Sequence, residues 1–470
     1  MKVEQIYTGC LAEAAYYIES NGEAVIIDPL RETEPYIERA KADGAKIKYV
    51  METHFHADFV SGHLDLAKKT GAKIVYGPTA QPKCDAYIAK DNEELKVGNV
   101  TIKVLHTPGH TMESSTFLLK DEKGKDYAIF TGDTLFLGDV GRPDLAIKQG
   151  EITREDLAGF LFDSLRNRIM PLADNVIVYP GHGAGSACGK KMSKETEGTL
   201  GDQKKFNYAL RADMTRDEFI KEVTTGLVDP PQYFPKNAMM NKMGYESIDE
   251  VRKRGTQSLS LRAFKAAWQE EEALILDTRP QSSFVKGFIP GSIFIGIDGS
   301  FAQWVGALIP NLKQPILFIA DKGREEEVVT RLARVGYDNA IGFLKGGFAT
   351  WAAAGEEVDT LEELTPNELA TYFDCNQLHI LDVRKASEFN TEHLVCANNF
   401  PLDFINKKMN QLDRNKKYYL YCGSGFRSVI AASILKSRGY EKVVNIPGGW
   451  EELVKTQIKR TEFVEQITEL

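Results

Sequence analysis

A stretch of about 100 residues occurs twice in the second half of this chain, and that duplication limits the possible fold more than any other feature. Ile275-Leu276-Asp277-Thr278-Arg279 returns as Ile380-Leu381-Asp382-Val383-Arg384. Phe284 matches Phe389 at the same offset, and Gly346-Gly347-Phe348 returns as Gly448-Gly449-Trp450. Each copy opens on a helix-like stretch (Leu259 to Trp268; Thr365 to Phe373), then carries a strand, a Gly-containing loop and a helix. A repeat of this length is a duplicated α/β domain, not a solenoid unit.

The first part, residues 1–225, is not part of the repeat. Ala24-Val25-Ile26-Ile27-Asp28, Ile47-Lys48-Tyr49-Val50-Met51 and Asn175-Val176-Ile177-Val178-Tyr179 read as buried strands. Thr33 to Ala42 and Glu155 to Arg168 read as amphipathic helices. This alternation predicts α/β layers. Between the two parts lies Leu227-Val228-Asp229-Pro230-Pro231-Gln232-Tyr233-Phe234-Pro235. Its three prolines cannot continue a helix or a central strand, so the segment is expected to be a tether between domains.

Composition narrows the function. The net charge of −9 disfavours a nucleic-acid partner. The start Met1-Lys2-Val3-Glu4-Gln5-Ile6 lacks the pattern of a signal peptide, and no apolar run reaches about 18 residues, so no membrane span is expected. Cys10, Cys84, Cys188, Cys375, Cys396 and Cys422 form no CxxC pair and no dense framework. Free thiols in a reducing cytoplasm are therefore expected.

Six of the eight histidines fall between His54 and His182. Thr53-His54-Phe55-His56-Ala57-Asp58, His106-Thr107-Pro108-Gly109-His110, Thr131-Gly132-Asp133-Thr134 and Tyr179-Pro180-Gly181-His182 each follow a predicted strand. One His after a strand is ordinarily a hydrogen-bonded turn residue. Several such motifs at strand ends make a set that imidazole and carboxylate ligation explains and isolated turns do not. Such ligands suit zinc or non-haem iron, and the lack of a local thiolate set disfavours a structural zinc.

These motifs resemble the metallo-β-lactamase superfamily over residues 1–245. The resemblance implies an αββα sandwich with the metal at one edge of its two sheets. Dinuclear members read HxHxDH, whereas Phe59 stands at the last position here and cannot ligate. That departure favours the persulfide dioxygenase branch over two-zinc thioester hydrolases resembling glyoxalase II. The resemblance then implies one Fe(II) per chain on His54, His110 and Asp133, with His56, Asp58 and His182 supporting the ligands. Gly141-Arg142-Pro143-Asp144-Leu145 resembles a stretch of the same branch. Arg142 could hold an anionic persulfide or buttress the site. Cys188, in a Gly/Ser-rich loop after His182, could relay sulfur or be a buried thiol.

In the second copy Cys422-Gly423-Ser424-Gly425-Phe426-Arg427 follows the strand Lys417 to Tyr421 and precedes a helix. Backbone amides in such a loop stabilise a thiolate or persulfide anion, and Arg427 adds positive charge. Together with Asp382-Val383-Arg384, Glu388, His393 and Pro447-Gly448-Gly449-Trp450, this resembles rhodaneses, giving an active domain over 361–470. The familiar Gly-His-Ile-Pro-Gly-Ala stretch reads Glu392-His393-Leu394-Val395-Cys396-Ala397 here, which weakens a role for His393. The first copy, residues 257–358, places Ala320 at the cysteine and Glu325 at the arginine, so it is expected to be inactive. The whole resembles persulfide dioxygenase–rhodanese fusions. It implies a thiol persulfide, O₂ and sulfite or thiosulfate as partners, with a homo-oligomer expected. A zinc thioester hydrolase with a sulfur-relay tail and a non-catalytic sulfur carrier are the rival readings. The carrier thiol stays open among glutathione, bacillithiol and coenzyme A, and so does the direction of sulfur transfer.

Overall fold

The computed structural model describes residues 1–147, 150–375 and 377–465. The chain divides into two compact units, one of residues 1–248 and one of the greater part of residues 249–465.

In the first unit one six-stranded sheet runs in chain order: β1 (Lys2–Thr8), β2 (Glu13–Ser20), β3 (Glu23–Ile27), β4 (Lys46–Glu52), β5 (Lys73–Tyr76) and β6 (Tyr87–Ile88). The other holds β7 (Glu94–Val97), β8 (Val100–His106), β9 (Ser115–Lys120), β10 (Asp126–Gly132), β11 (Ile177–Pro180) and β12 (Gly198–Thr199), also paired in sequence. Inner strands such as β2, β3 and β9 are buried along nearly their whole length, as strands covered on both faces require, while β1 and β7 keep exposed polar positions. On β2, Ala14, Tyr16 and Ile18 enter the core between the sheets, where Ile102, Val104, Phe117 and Phe130 meet them. Ala15 and Tyr17 face the other way, against Tyr36 and Leu66 of the helices Glu34–Ala42 and His63–Thr70. The second sheet is covered by Arg154–Ser164, a helix started by a reciprocal cap between Thr153 and Asp156. The layers are αββα, as expected.

The proline-rich segment departs from expectation. Tyr233 and Phe234 are buried, and the chain runs on into the helix Phe234–Met243, with Pro235 in its first turn, where a missing N–H is harmless. This helix belongs to the first unit. The prolines do interrupt regular structure, but the buried aromatic anchors make the segment part of a fold instead of a tether.

The second unit repeats one five-stranded parallel sheet. Its first copy orders β13 (Ser258–Leu259), β17 (Ala340–Leu344), β16 (Ile316–Ile319), β14 (Leu274–Asp277) and β15 (Ile293–Phe294). The second orders β18 (Glu362–Glu363), β22 (Val443–Asn445), β21 (Tyr418–Tyr421), β19 (His379–Asp382) and β20 (Asn398–Asn399) in the same way. The repeated Asp-x-Arg is a structural pin. Arg279 pairs with Asp277 at 2.6 Å and lies over the Phe348 ring; Arg384 pairs with Asp382 at 2.6 Å and lies over Trp450. Each pin ties a central strand to the Gly-Gly-aromatic turn. Of the expected 361–470 domain, residues 376 and 466–470 lie outside the described residues.

The cysteine expectation is corrected. Cys375 and Cys396 form a disulfide with their Cα atoms 5.6 Å apart, while Cys10, Cys84, Cys188 and Cys422 are free. Spacing along the chain gave no sign of this pair because folding alone brings the two loops together. Among the described residues no helix is long and apolar enough to cross a membrane.

Candidate metal centre and sulfur-transfer site

Asp133 follows directly on β10, His54 is the second residue after β4, and His110 lies in the turn after β8, so the rigid sheets aim all three. His110 Nε2 lies 3.4 Å from Asp133 Oδ2, and His54 Nε2 lies 4.0 Å from the same oxygen. Asp133 Oδ2 is buried and has no hydrogen-bond partner. Hydrogen bonding fixes both tautomers. His110 Nδ1 meets the Arg142 carbonyl at 2.9 Å, which can only accept. His54 Nδ1 meets Thr53 Oγ1 at 3.0 Å, and that hydroxyl donates its proton to Asp28 Oδ2 at 2.8 Å. Both Nδ1 atoms therefore carry protons, leaving both Nε2 lone pairs aimed at an orphaned carboxylate oxygen. Three convergent lone pairs with no proton between them repel one another unless a cation joins them, so these residues fit a metal.

The electrostatics agree. Burial and neighbouring His56 push His54 well below the ordinary imidazole range, keeping it neutral as ligation demands. Burial alone would raise Asp133, but His182, His110 and His54 outweigh it and hold the carboxyl well below its usual range. His182 commits one ring nitrogen to Asp133, while its Nε2 has no hydrogen-bond partner and, with Asp58 and Cys188, makes a second group that could hold a metal. Its Nδ1 lies 2.8 Å from Asp133 Oδ1 and its Nε2 lies 2.7 Å from Asp58 Oδ2. Burial disfavours its charge, yet the two carboxylates prevail and raise its pKa well above normal. His182 thus steers Asp133 so that Oδ2 faces the histidines.

Phe59 is fully buried and stacks on the His56 ring with centroids 4.3 Å apart. His56 Nε2 turns to Asp28 Oδ1 at 3.0 Å and towards Glu52 Oε2 at 3.6 Å. Burial, with Asp28 adding to it, pushes the Glu52 carboxyl well above its ordinary range. The loop's far side is held by Asn241, which was not evident in the sequence. Its Nδ2 donates to the His56 and Phe59 carbonyls, each at 2.8 Å, and its Oδ1 accepts from Ser61 N at 2.9 Å. Asn241 comes from the helix after the proline-rich segment, about 180 residues away in sequence, a distance that no local motif spans.

Arg142 touches the centre through its backbone. Its guanidinium is committed to Asp144 at 2.6 and 2.8 Å, the Val228 carbonyl at 2.6 Å and the Ala187 carbonyl at 3.3 Å. Gly141 permits this close approach, since a Cβ there would lie 2.0 Å from the Asp133 carbonyl oxygen. Cys188 is buried with Asp58 and His182, and their ligand atoms lie within 4.8 Å of one another. Burial, then Asp58 and Asp133, raises its pKa well above that of a free thiol, so it is a neutral SH.

In the second unit Cys422 is fully buried at the end of β21. The Gly425 amide points at its Sγ at 3.1 Å, with Gly425 at φ +96°, a conformation that glycine adopts readily. Gly449 must also be glycine, because a Cβ would sit 2.3 Å from the Cys422 carbonyl oxygen. Arg427 is held bidentate by Glu388 at 2.6 and 2.8 Å. His393 stacks on Phe389 at 3.6 Å and binds the Phe389 carbonyl, away from the loop's chemistry. In the first copy the Gly323 amide, counterpart of Gly425, donates to Glu325 Oε2 at 2.8 Å. A carboxylate of the chain thus accepts from the amide that matches the one facing Cys422 Sγ.

Residues 8–182 match the Metallo-beta-lactamase superfamily, and residues 260–354 and 365–456 each match the Rhodanese-like domain. A probable hydroxyacylglutathione hydrolase of Schizosaccharomyces pombe is 32% identical over 206 residues, covering 39% of this chain and 75% of that protein. Human mitochondrial persulfide dioxygenase ETHE1 is 30% identical over 162 residues, covering 34% of this chain and 59% of that protein. A crystal structure of a metallo-beta-lactamase from Staphylococcus aureus subsp. aureus COL aligns with TM-score 0.64 at 32% identity, covering 73% of this chain and 98% of that one.

Proposed function

Because the chain belongs to the metallo-β-lactamase superfamily and carries two rhodanese-like domains, we propose that it oxidises low-molecular-weight thiol persulfides to sulfite and transfers sulfane sulfur to give thiosulfate. Hydrolase and dioxygenase relatives match at similar identity, so the choice rests on the site itself. The observation that carries it is Phe59, a ring that cannot ligate, buried against His56 at the position where a second metal would need an imidazole. His54, His110 and Asp133 remain as a two-His, one-carboxylate set on one metal, read as Fe(II). Bound iron would supply the redox chemistry that joins O₂ to the persulfide sulfur: RSSH + O₂ + H₂O → RSH + SO₃²⁻ + 2 H⁺. The chain's residues do the rest. His182 orients Asp133, the Arg142 carbonyl and Thr53 fix the two histidine tautomers, and buried Phe59 and Asn241 keep the ligand loop in place.

Cys422 then serves as the sulfur carrier. It accepts sulfur from a persulfide as Cys422–S–SH, releasing RSH, and sulfite removes that sulfur as thiosulfate, returning the thiol. The Gly425 amide faces the anion at each stage. Cys188 instead lies beside Asp58 and His182, and burial with the Asp58 and Asp133 carboxylates disfavours its thiolate. Thiol-labelling chromatography of the products separates the two sites. Cys422→Ser should still oxidise persulfide but yield free sulfite in place of thiosulfate. His110→Ala should lose O₂ consumption and keep transfer from thiosulfate to cyanide. Thiosulfate formation at the wild-type rate by Cys422→Ser would move the carrier role to Cys188.

A further inference from the structure

We propose that Cys375 and Cys396 are a redox-active pair that interconverts between dithiol and disulfide by exchange with low-molecular-weight persulfides and disulfides. They are bonded across a sequence separation of 21 residues, and both are solvent-exposed, so a small sulfur compound can reach them. Exposed disulfides are the exchangeable ones, whereas structural ones are shielded.

The backbone gives a second, independent reason. Cys396 has φ +77°, in the left-handed region that L side chains seldom adopt. It stands where the first copy has Gly291, at φ +80°, so the fold favours a residue without a Cβ at this point. A cysteine kept in a glycine's conformation, bonded to a second exposed cysteine, is better explained by thiol chemistry than by packing.

The closed loop is also placed to matter. It contains β19, the Asp382–Arg384 pin and the helix Ala386–Thr391, which carries Glu388, the bidentate partner of Arg427 in the Cys422 loop. Closing the bridge ties together both ends of the segment that holds Arg427.

The exchange balances without a further oxidant. One cysteine thiolate attacks the outer sulfur of RSSH, giving Cys–S–SH and RSH. The second attacks the cysteine sulfur of that persulfide, expelling hydrosulfide. In sum, two Cys–SH and RSSH give Cys–S–S–Cys, RSH and H₂S; the two cysteine sulfurs are oxidised and the sulfane sulfur is reduced. Glutathione reverses the bridge through a mixed disulfide. The persulfide step rests on the function proposed above, whereas exchange with glutathione disulfide does not.

The test uses the full chain, reduced, desalted under argon and given either glutathione disulfide or glutathione persulfide. After alkylation and trypsin digestion, mass spectrometry follows the linked peptides that carry Cys375 and Cys396, and H₂S is titrated. Both reagents should form the link in wild type and in Cys422→Ser. One H₂S should be released per bridge in the persulfide arm, and glutathione should reopen the bridge. Cys375→Ser should form no link. Cys396→Gly should fold with a thermal midpoint insensitive to reductant, while the wild-type midpoint falls on reduction. A bridge that glutathione cannot open in the folded protein, or a dithiol that neither reagent oxidises, overturns the proposal. A link formed by glutathione disulfide alone overturns its persulfide half. Oxygen uptake on the same samples reports separately on the dioxygenase reading.

Discussion

The Glu325 carboxylate accepts a hydrogen bond from the Gly323 amide at 2.8 Å, in the position where the Gly425 amide meets Cys422 Sγ in the second copy. The first rhodanese-like copy therefore has Ala320 in place of the thiol and commits the matching amide to its own carboxylate. Installing the thiol alone should not restore it. In a Cys422→Ser background, Ala320→Cys should transfer sulfur to cyanide more than about 100-fold more slowly than wild type, the scale of losing one backbone donor to a developing anion. Adding Glu325→Arg should recover part of the rate. Near-wild-type transfer by Ala320→Cys alone would show that the nest does not matter there.

Asn241 makes a prediction at the opposite end of the first unit's sequence. It satisfies the His56 and Phe59 carbonyls and the Ser61 amide, all in the ligand loop. Asn241→Ala should destabilise the first unit by about 2–4 kcal/mol, since truncation leaves buried backbone groups unpaired. Thermal unfolding and iron retention after dialysis should both report it, with thiosulfate-to-cyanide transfer unchanged. An unaltered midpoint and full iron retention would rule out this bracing role.

His182 gives a pH signature to the metal-free protein. Two carboxylates raise its folded pKa above the unfolded value of about 6.5. Its contribution is thus complete below about pH 6.5 and is lost as pH climbs through the raised folded value. The difference in thermal midpoint between wild type and His182→Gln should be largest in mild acid and shrink in the alkaline range. A difference that stays constant with pH would mean that the charge on His182 contributes nothing.

That His54, His110 and Asp133 come together was legible because each lies just past the end of a β-strand, so short motifs such as His54-Phe55-His56-Ala57-Asp58 carry geometry with them. The duplicated unit was legible because its pins recur as Asp277–Arg279 and Asp382–Arg384. What could not be read depends on contacts between distant segments. Asn241 and Asp28 reach the centre from other elements, and Cys375 meets Cys396 only after folding. The proline-rich segment misled for a related reason: its prolines exclude regular structure locally, while burial of Tyr233 and Phe234 is decided by the surface they meet. Arg142 could be read as holding an anion or as buttressing the site; in the structure its backbone carbonyl reaches His110, a contact that the side chain's identity does not signal.

The most direct test is anaerobic purification with metal analysis, followed by oxygen-electrode assay with glutathione persulfide. One iron per chain, with one O₂ consumed for each sulfite equivalent formed, is the predicted result. Two tightly held zinc ions, thioester hydrolysis and no O₂ uptake would contradict it.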